Sequence, residues 1–213
     1  MSKYIANLIV FFRVALIFII VPLLNSFSLQ SRITGLLLLV SAVILDWLDG
    51  YCARKFKSAS LLGGMLDTLG DRITENLLLI FFAYKRLIPV YVPLIFVSRS
   101  LISDFIRYLY LSRGIHTFSI NKSKLGMLMV ASRPSRALYL VFKVAVFFLG
   151  GVILIGELVP EGAWLGLESV LVSLRNWIFY ASILLVFFNL LRFILLIYDS
   201  RSILKEEFSR SSS

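Results

Sequence analysis

Asp46, Asp49, Gly50, Ala53 and Arg54, followed by Gly63, Asp67 and Asp71, form one pattern, D-x2-D-G-x2-A-R-x8-G-x3-D-x3-D. Four of the chain's twelve acidic residues fall in it, inside segments otherwise as apolar as a bilayer. A carboxylate at membrane depth costs about 2.5–3.5 kcal/mol on insertion scales, so four together require a compensating cation. Helix positions three and four apart share a face. Asp46, Asp49, Gly50 and Ala53 therefore make one stripe, and Gly63, Asp67 and Asp71 a second. A short turn between the stripes makes their helices antiparallel neighbours, so the two carboxylate pairs can converge. Hard oxygen ligands in that number suit Mg²⁺ or Mn²⁺, and no neighbouring imidazoles select zinc. Two ions are compatible with four carboxylates plus substrate phosphates. Gly50, Ala53 and Gly63 leave room on the same faces. Arg54 can meet a phosphate through its planar fork. A cation clamp beside an arginine is what a pyrophosphate bond under attack requires.

The elements that must carry these residues are membrane helices. The chain has 213 residues, is 59% hydrophobic and only 16% charged, with a mean hydropathy of +0.91. A helical crossing takes about 20 apolar residues. The sequence predicts an all-α polytopic membrane protein with six spans, over roughly 14–29, 33–53, 60–83, 88–111, 137–157 and 177–199. Residues 1–13 either continue the first span or form a short interfacial helix before it. No linker or repeat divides the chain, so 1–213 reads as a single domain.

Basic loop residues orient the spans. Lys3, Arg54, Lys55, Lys57, Arg113, Lys122, Lys124, Arg133, Arg136, Arg201, Lys205 and Arg210 fall on one side. Arg32, Lys85, Arg86 and Arg175 fall on the other, with Glu157, Glu161 and Glu168. Both termini and the acidic turn are thus expected on the cytoplasmic side. The net charge of +10 suits anionic headgroups and phosphorylated substrates better than nucleic acid in so apolar a chain. The single cysteine, Cys52, excludes an internal disulfide, and the single histidine, His116, has no second imidazole to share a metal with.

Each motif residue has a plainer use. Intramembrane Asp residues also serve proton relays and ion pathways, and small residues also serve close packing. A non-catalytic ion-binding or transport protein is therefore the competing class. A conduction path spreads polar groups through the bilayer, whereas these cluster at one turn. A membrane phosphatase lacks a nucleophile or a histidine acid in the set.

The eight-residue pattern resembles the signature of the CDP-alcohol phosphatidyltransferases, and the six-span layout is similar to that family as well. The resemblance implies displacement of CMP from a CDP-linked lipid, CDP-diacylglycerol, by the hydroxyl of a small alcohol. It implies that Asp46, Asp49, Asp67 and Asp71 hold two divalent ions and that Asp71 is also the base. Gly50, Ala53, Arg54 and Gly63 would shape the site for the CDP moiety, and the protein would be a homodimer. The residues alone do not rank Asp71 above Asp67 as base, because metal coordination keeps a carboxylate ionised but weakens its basicity.

For the acceptor, Arg99, Ser103 and Arg107 share one helix face, with Lys122, Lys124, Arg133 and Arg136 following. Cations beside a nucleotide diphosphate site suggest a second phosphate. Interfacial anchoring is the plainer role for Arg133 and Arg136, and Asp104 is a candidate ion-pair partner on the fourth span. Asn7-Leu8-Ile9 with Arg13, the Arg99/Arg107 spacing and the Lys122/Lys124 pair resemble the phosphatidylglycerophosphate synthases of that family. Those synthases usually read Pro-x-Ala-Asp-Lys where this chain has Thr68-Leu69-Gly70-Asp71-Arg72. The Asp71-Arg72 pair is more similar to phosphatidylinositol synthases. Glycerol 3-phosphate leads as acceptor, inositol or its phosphate follows, and serine comes last.

Overall fold

The computed structural model describes residues 2–55, 61–112, 132–160 and 166–211. Within these, side chains are described except at 2–7, 46–55, 61–62, 133, 202 and 205–211. The described residues are helical throughout, without strands: α1 (Ser2–Asn25), α2 (Leu29–Lys55), α3 (Leu61–Tyr84), α4 (Tyr91–Ser112), α5 (Arg133–Gly156) and α6 (Leu167–Ser211). The all-α expectation holds. Residues 2–13 continue the first helix and do not form a separate one, while α6 runs well past both ends of its expected span.

Three helices are long and apolar enough to cross a membrane, over Leu8–Asn25, Pro134–Gly156 and Leu167–Arg201. Leu29–Leu45 is a shorter apolar stretch. The others are interrupted by charge: Asp46, Asp49 and Arg54 on α2, Asp67, Asp71 and Glu75 on α3, Arg99, Asp104 and Arg107 on α4. Phe11, Phe12, Phe18, Leu37, Ile44, Leu101, Phe105 and Phe187 are all exposed. Apolar exposure on this scale matches a surface bathed in lipid.

Local signals set the helix ends. Ser28 caps α2, its Oγ accepting from Ser31 N–H at 3.4 Å. At the end of α3, Leu87 N–H donates to Phe82 O and Arg86 N–H to Ala83 O, both at 2.9 Å. That pair of bonds is a Schellman stop, with Arg86 in the left-handed region at φ 57°.

Two compact units divide the chain. The first holds residues 1–90 and 144–180. Here α1 packs on α2 and α3, around a core that includes Ile17, Ile20, Leu24, Leu78, Leu79, Phe82, Phe147 and Leu154. Gly150 lets α5 meet the ring of Phe82, where an added Cβ would fall 2.7 Å from Cζ. Buried Arg32 donates from Nε to Ser26 O at 2.7 Å and from Nη1 to Leu154 O. Its ion pair with Glu157, 3.7 Å long, is shared with Arg175 at 2.5 Å. A buried cation is thereby satisfied by two carbonyls and a carboxylate. The second unit holds residues 91–143 and 181–213, with Ile106, Tyr110, Leu196 and Ile203 as its core and Phe142 stacked on Phe188 at 5.7 Å.

Candidate active site

The second half of the acidic motif lies on α3. Gly63, Asp67 and Asp71 follow one another at four-residue steps and so line one face. Both carboxylates are half-exposed, at 47% for Asp67 and 40% for Asp71. Between them and α1 sits Arg13, only 2% exposed. One nitrogen of its guanidinium, Nη2, donates to Asp71 Oδ1 at 2.8 Å and to Asp67 Oδ1 at 3.4 Å. The helices come this close because residue 70 is glycine. A Cβ there would stand 2.8 Å from Val10 Cγ1 and 3.3 Å from Arg13 Nη2. Glu75 continues the α3 row one turn beyond Asp71 and is buried.

The first half of the motif, Asp46, Asp49, Gly50, Ala53 and Arg54, lies on the last turns of α2. Those side chains fall outside the described residues, and so do Lys122, Lys124 and the side chain of Arg133, the first residue of α5. Among the described residues no three His, Cys, Asp or Glu side chains gather as a metal-ligand set. What is described of the donor set, two solvent-reachable carboxylates one turn apart, fits a hard divalent cation.

The acceptor-side expectations fall in the second unit. Arg99, Ser103 and Arg107 lie on α4 at four-residue steps. Ser103 is fully buried, and among the described residues neither its Oγ nor the Nε of Arg99 has a hydrogen-bond partner. Arg107 is 38% exposed and reaches Asp104 Oδ1 only at 3.9 Å. The like charges of Arg99 and Arg192 both act on Arg107, so α6 adds a third arginine to the two on α4. Arg192 also lies over the ring of Tyr139, 5.1 Å from its centre. The hydroxyl of Tyr139 accepts from Asn189 Nδ2 at 3.4 Å.

Sequence reasoning missed two of these relations. Arg13 entered it only as part of an N-terminal resemblance. Arg192 falls within the last expected span, 177–199, with no role assigned to it. The available signal was the same for both: an arginine inside an apolar helix is expected to have an ionic partner or a ligand.

The family model for CDP-alcohol phosphatidyltransferase matches residues 3–188. Several curated relatives share the name CDP-diacylglycerol--glycerol-3-phosphate 3-phosphatidyltransferase. The one from Rickettsia bellii is 28% identical over 143 residues, 63% of this chain and 79% of the relative. That from Mycoplasma genitalium is 37% identical over 83 residues, 38% of this chain and 35% of the relative. That from Haemophilus influenzae is 31% identical over 99 residues, 45% of this chain and 53% of the relative. The chain thus spans about a third to four fifths of the length of these relatives. No solved structure matches it. With the aspartate row of α3 inside the matched region, the chain belongs to the CDP-alcohol phosphatidyltransferase family.

Proposed function

We propose that this protein transfers the phosphatidyl group of CDP-diacylglycerol to glycerol 3-phosphate, releasing CMP. The observation that carries the reading is the pair of half-exposed carboxylates, Asp67 and Asp71, fixed one turn apart on α3 in a chain matched by this family over residues 3–188. The names of the relatives favour glycerol 3-phosphate as the acceptor.

Asp46, Asp49, Asp67 and Asp71 would hold Mg²⁺ or Mn²⁺, which when bound neutralises charge on the diphosphate. Asp71 takes the proton of the acceptor hydroxyl. The freed oxygen bonds to the phosphorus that carries diacylglycerol, and the bond from that phosphorus to the bridging oxygen breaks, so that CMP leaves with the bridging oxygen. Gly50, Ala53 and Gly63 keep that face open to the nucleotide, and Arg54 pairs with a phosphate. Arg99, Arg107 and Arg192 supply a cationic pocket for the acceptor's phosphate, with Lys122, Lys124 and Arg133 as further contacts. The chain crosses the membrane six times and, by resemblance to the family, pairs as a homodimer; the loop charges favour both termini and the site on the cytoplasmic side.

The test is CMP release from CDP-diacylglycerol by the purified chain with Mn²⁺, run in parallel with glycerol 3-phosphate, inositol, inositol phosphate and serine. Turnover with glycerol 3-phosphate alone is expected. Turnover with an inositol acceptor instead would reassign the pocket, a result that Asp71-Arg72 would explain. Ion flux without CMP release would favour the transport class.

A further inference from the structure

We infer that Arg13 is a positioning residue of the metal site, which makes α1 a third helix of a centre otherwise built from α2 and α3. The inference rests on the metal-dependent reading above and adds a residue to it.

The geometry is specific. Arg13 lies inside the apolar stretch Leu8–Asn25 and is 2% exposed, where an unpaired guanidinium would be strongly unfavourable. Among the described residues its Nη2 pairs with Oδ1 of Asp71 at 2.8 Å and Oδ1 of Asp67 at 3.4 Å. A single donor shared by two carboxylates on successive turns fixes their orientation relative to each other. Its charge also offsets the repulsion between two acids that face the same way. Groups that orient metal ligands from behind matter nearly as much as the ligands, and losing one costs about tenfold to a hundredfold in metal affinity.

The approach is built into the backbone. Gly70, between the two aspartates, is where α1 touches α3, against Val10, Arg13 and Val14. Any side chain there would push Val10 and Arg13 away. A lysine at position 13 would keep the charge but lose the rigid planar donor. The two properties are therefore separable.

The experiment measures Mn²⁺ binding, by the electron paramagnetic resonance of free Mn²⁺, to the full-length protein in nanodiscs without lipid substrate. Wild type, Arg13→Gln, Arg13→Lys and Asp71→Asn are compared. Arg13→Gln is expected to weaken Mn²⁺ binding about tenfold to a hundredfold, to lower kcat, and to leave KM for glycerol 3-phosphate in place. Arg13→Lys should fall between Arg13→Gln and wild type. Unchanged or tighter Mn²⁺ binding in Arg13→Gln, beside a weakened Asp71→Asn, would overturn the inference and leave the metal reading standing. If Arg13→Gln does not fold, Arg13→Lys decides: wild-type affinity overturns the inference and weaker binding supports it. A wild-type chain that binds no Mn²⁺ would overturn both.

Discussion

The arginines divide by what they meet. Arg32 is buried against carbonyls and Glu157, and Arg13 against two aspartates. Arg107 stands 3.9 Å from Asp104, and the like charges of Arg99 and Arg192 act on it as well. In the proposed function the phosphate of the acceptor meets these three arginines. Arg192→Gln should therefore raise KM for glycerol 3-phosphate about tenfold or more, the worth of a charged hydrogen bond. KM for CDP-diacylglycerol should change little. Steady-state kinetics with each substrate varied in turn checks this, and an equal rise in both constants would remove Arg192 from the acceptor pocket. The α3 aspartates are legible from spacing alone, because four-residue steps on a helix leave no choice of face. Arg13 is not, because its partners lie 54 and 58 residues away and no local rule reports such a contact.

At the scale of the helix, two glycines separate architecture from site. A Cβ at Gly150 would meet three atoms of the buried Phe82 ring within 2.9 Å, far from the aspartates in sequence and on another helix. A Cβ at Gly70 would meet the stiff, buried Val10 beside Arg13. Both Gly150→Ala and Gly70→Ala should destabilise by about 1–3 kcal/mol through overpacking, read as a lower melting temperature in detergent. Only Gly70→Ala should also weaken Mn²⁺ binding; equal Mn²⁺ affinity in the two variants would contradict this division. Helix type was legible from apolar length, and helix limits less so. A charge within a greasy run reads as a boundary, which is why the first span is expected from residue 14 while α1 starts at Ser2. The charge of Arg13 is matched from α3, so it does not end the helix. Past Arg201, α6 continues into Ser211 through polar sequence, and a search for apolar length stops short of that.

For the whole molecule, the membrane explains two facts that would conflict in water. Large aromatic and aliphatic side chains stand exposed on α1, α2, α4 and α6, and α2, α3 and α4 carry charged residues within otherwise apolar sequence. Three helices are long and apolar enough to cross a membrane, and α2, α3 and α4 fall short because charged residues interrupt their apolar runs. The family was legible because its motif survives without a mismatch, and the match over residues 3–188 bears that reading out. The loop charges also predict sidedness. A fluorescent protein fused after Ser213 in a bacterial host should fluoresce, and alkaline phosphatase at the same point should be inactive. The reverse pair would put the C-terminus outside.

In the proposed function the α3 aspartates and a divalent cation together carry phosphatidyl transfer. The most direct measurement is formation of phosphatidylglycerophosphate from CDP-diacylglycerol and labelled glycerol 3-phosphate, comparing wild type with Asp71→Asn, with Mn²⁺ and with excess EDTA. Product is expected with Mn²⁺ and not with excess EDTA, and Asp71→Asn should form it about a hundredfold or more slowly, as expected for loss of a general base. Undiminished product in EDTA, or in Asp71→Asn, would contradict it.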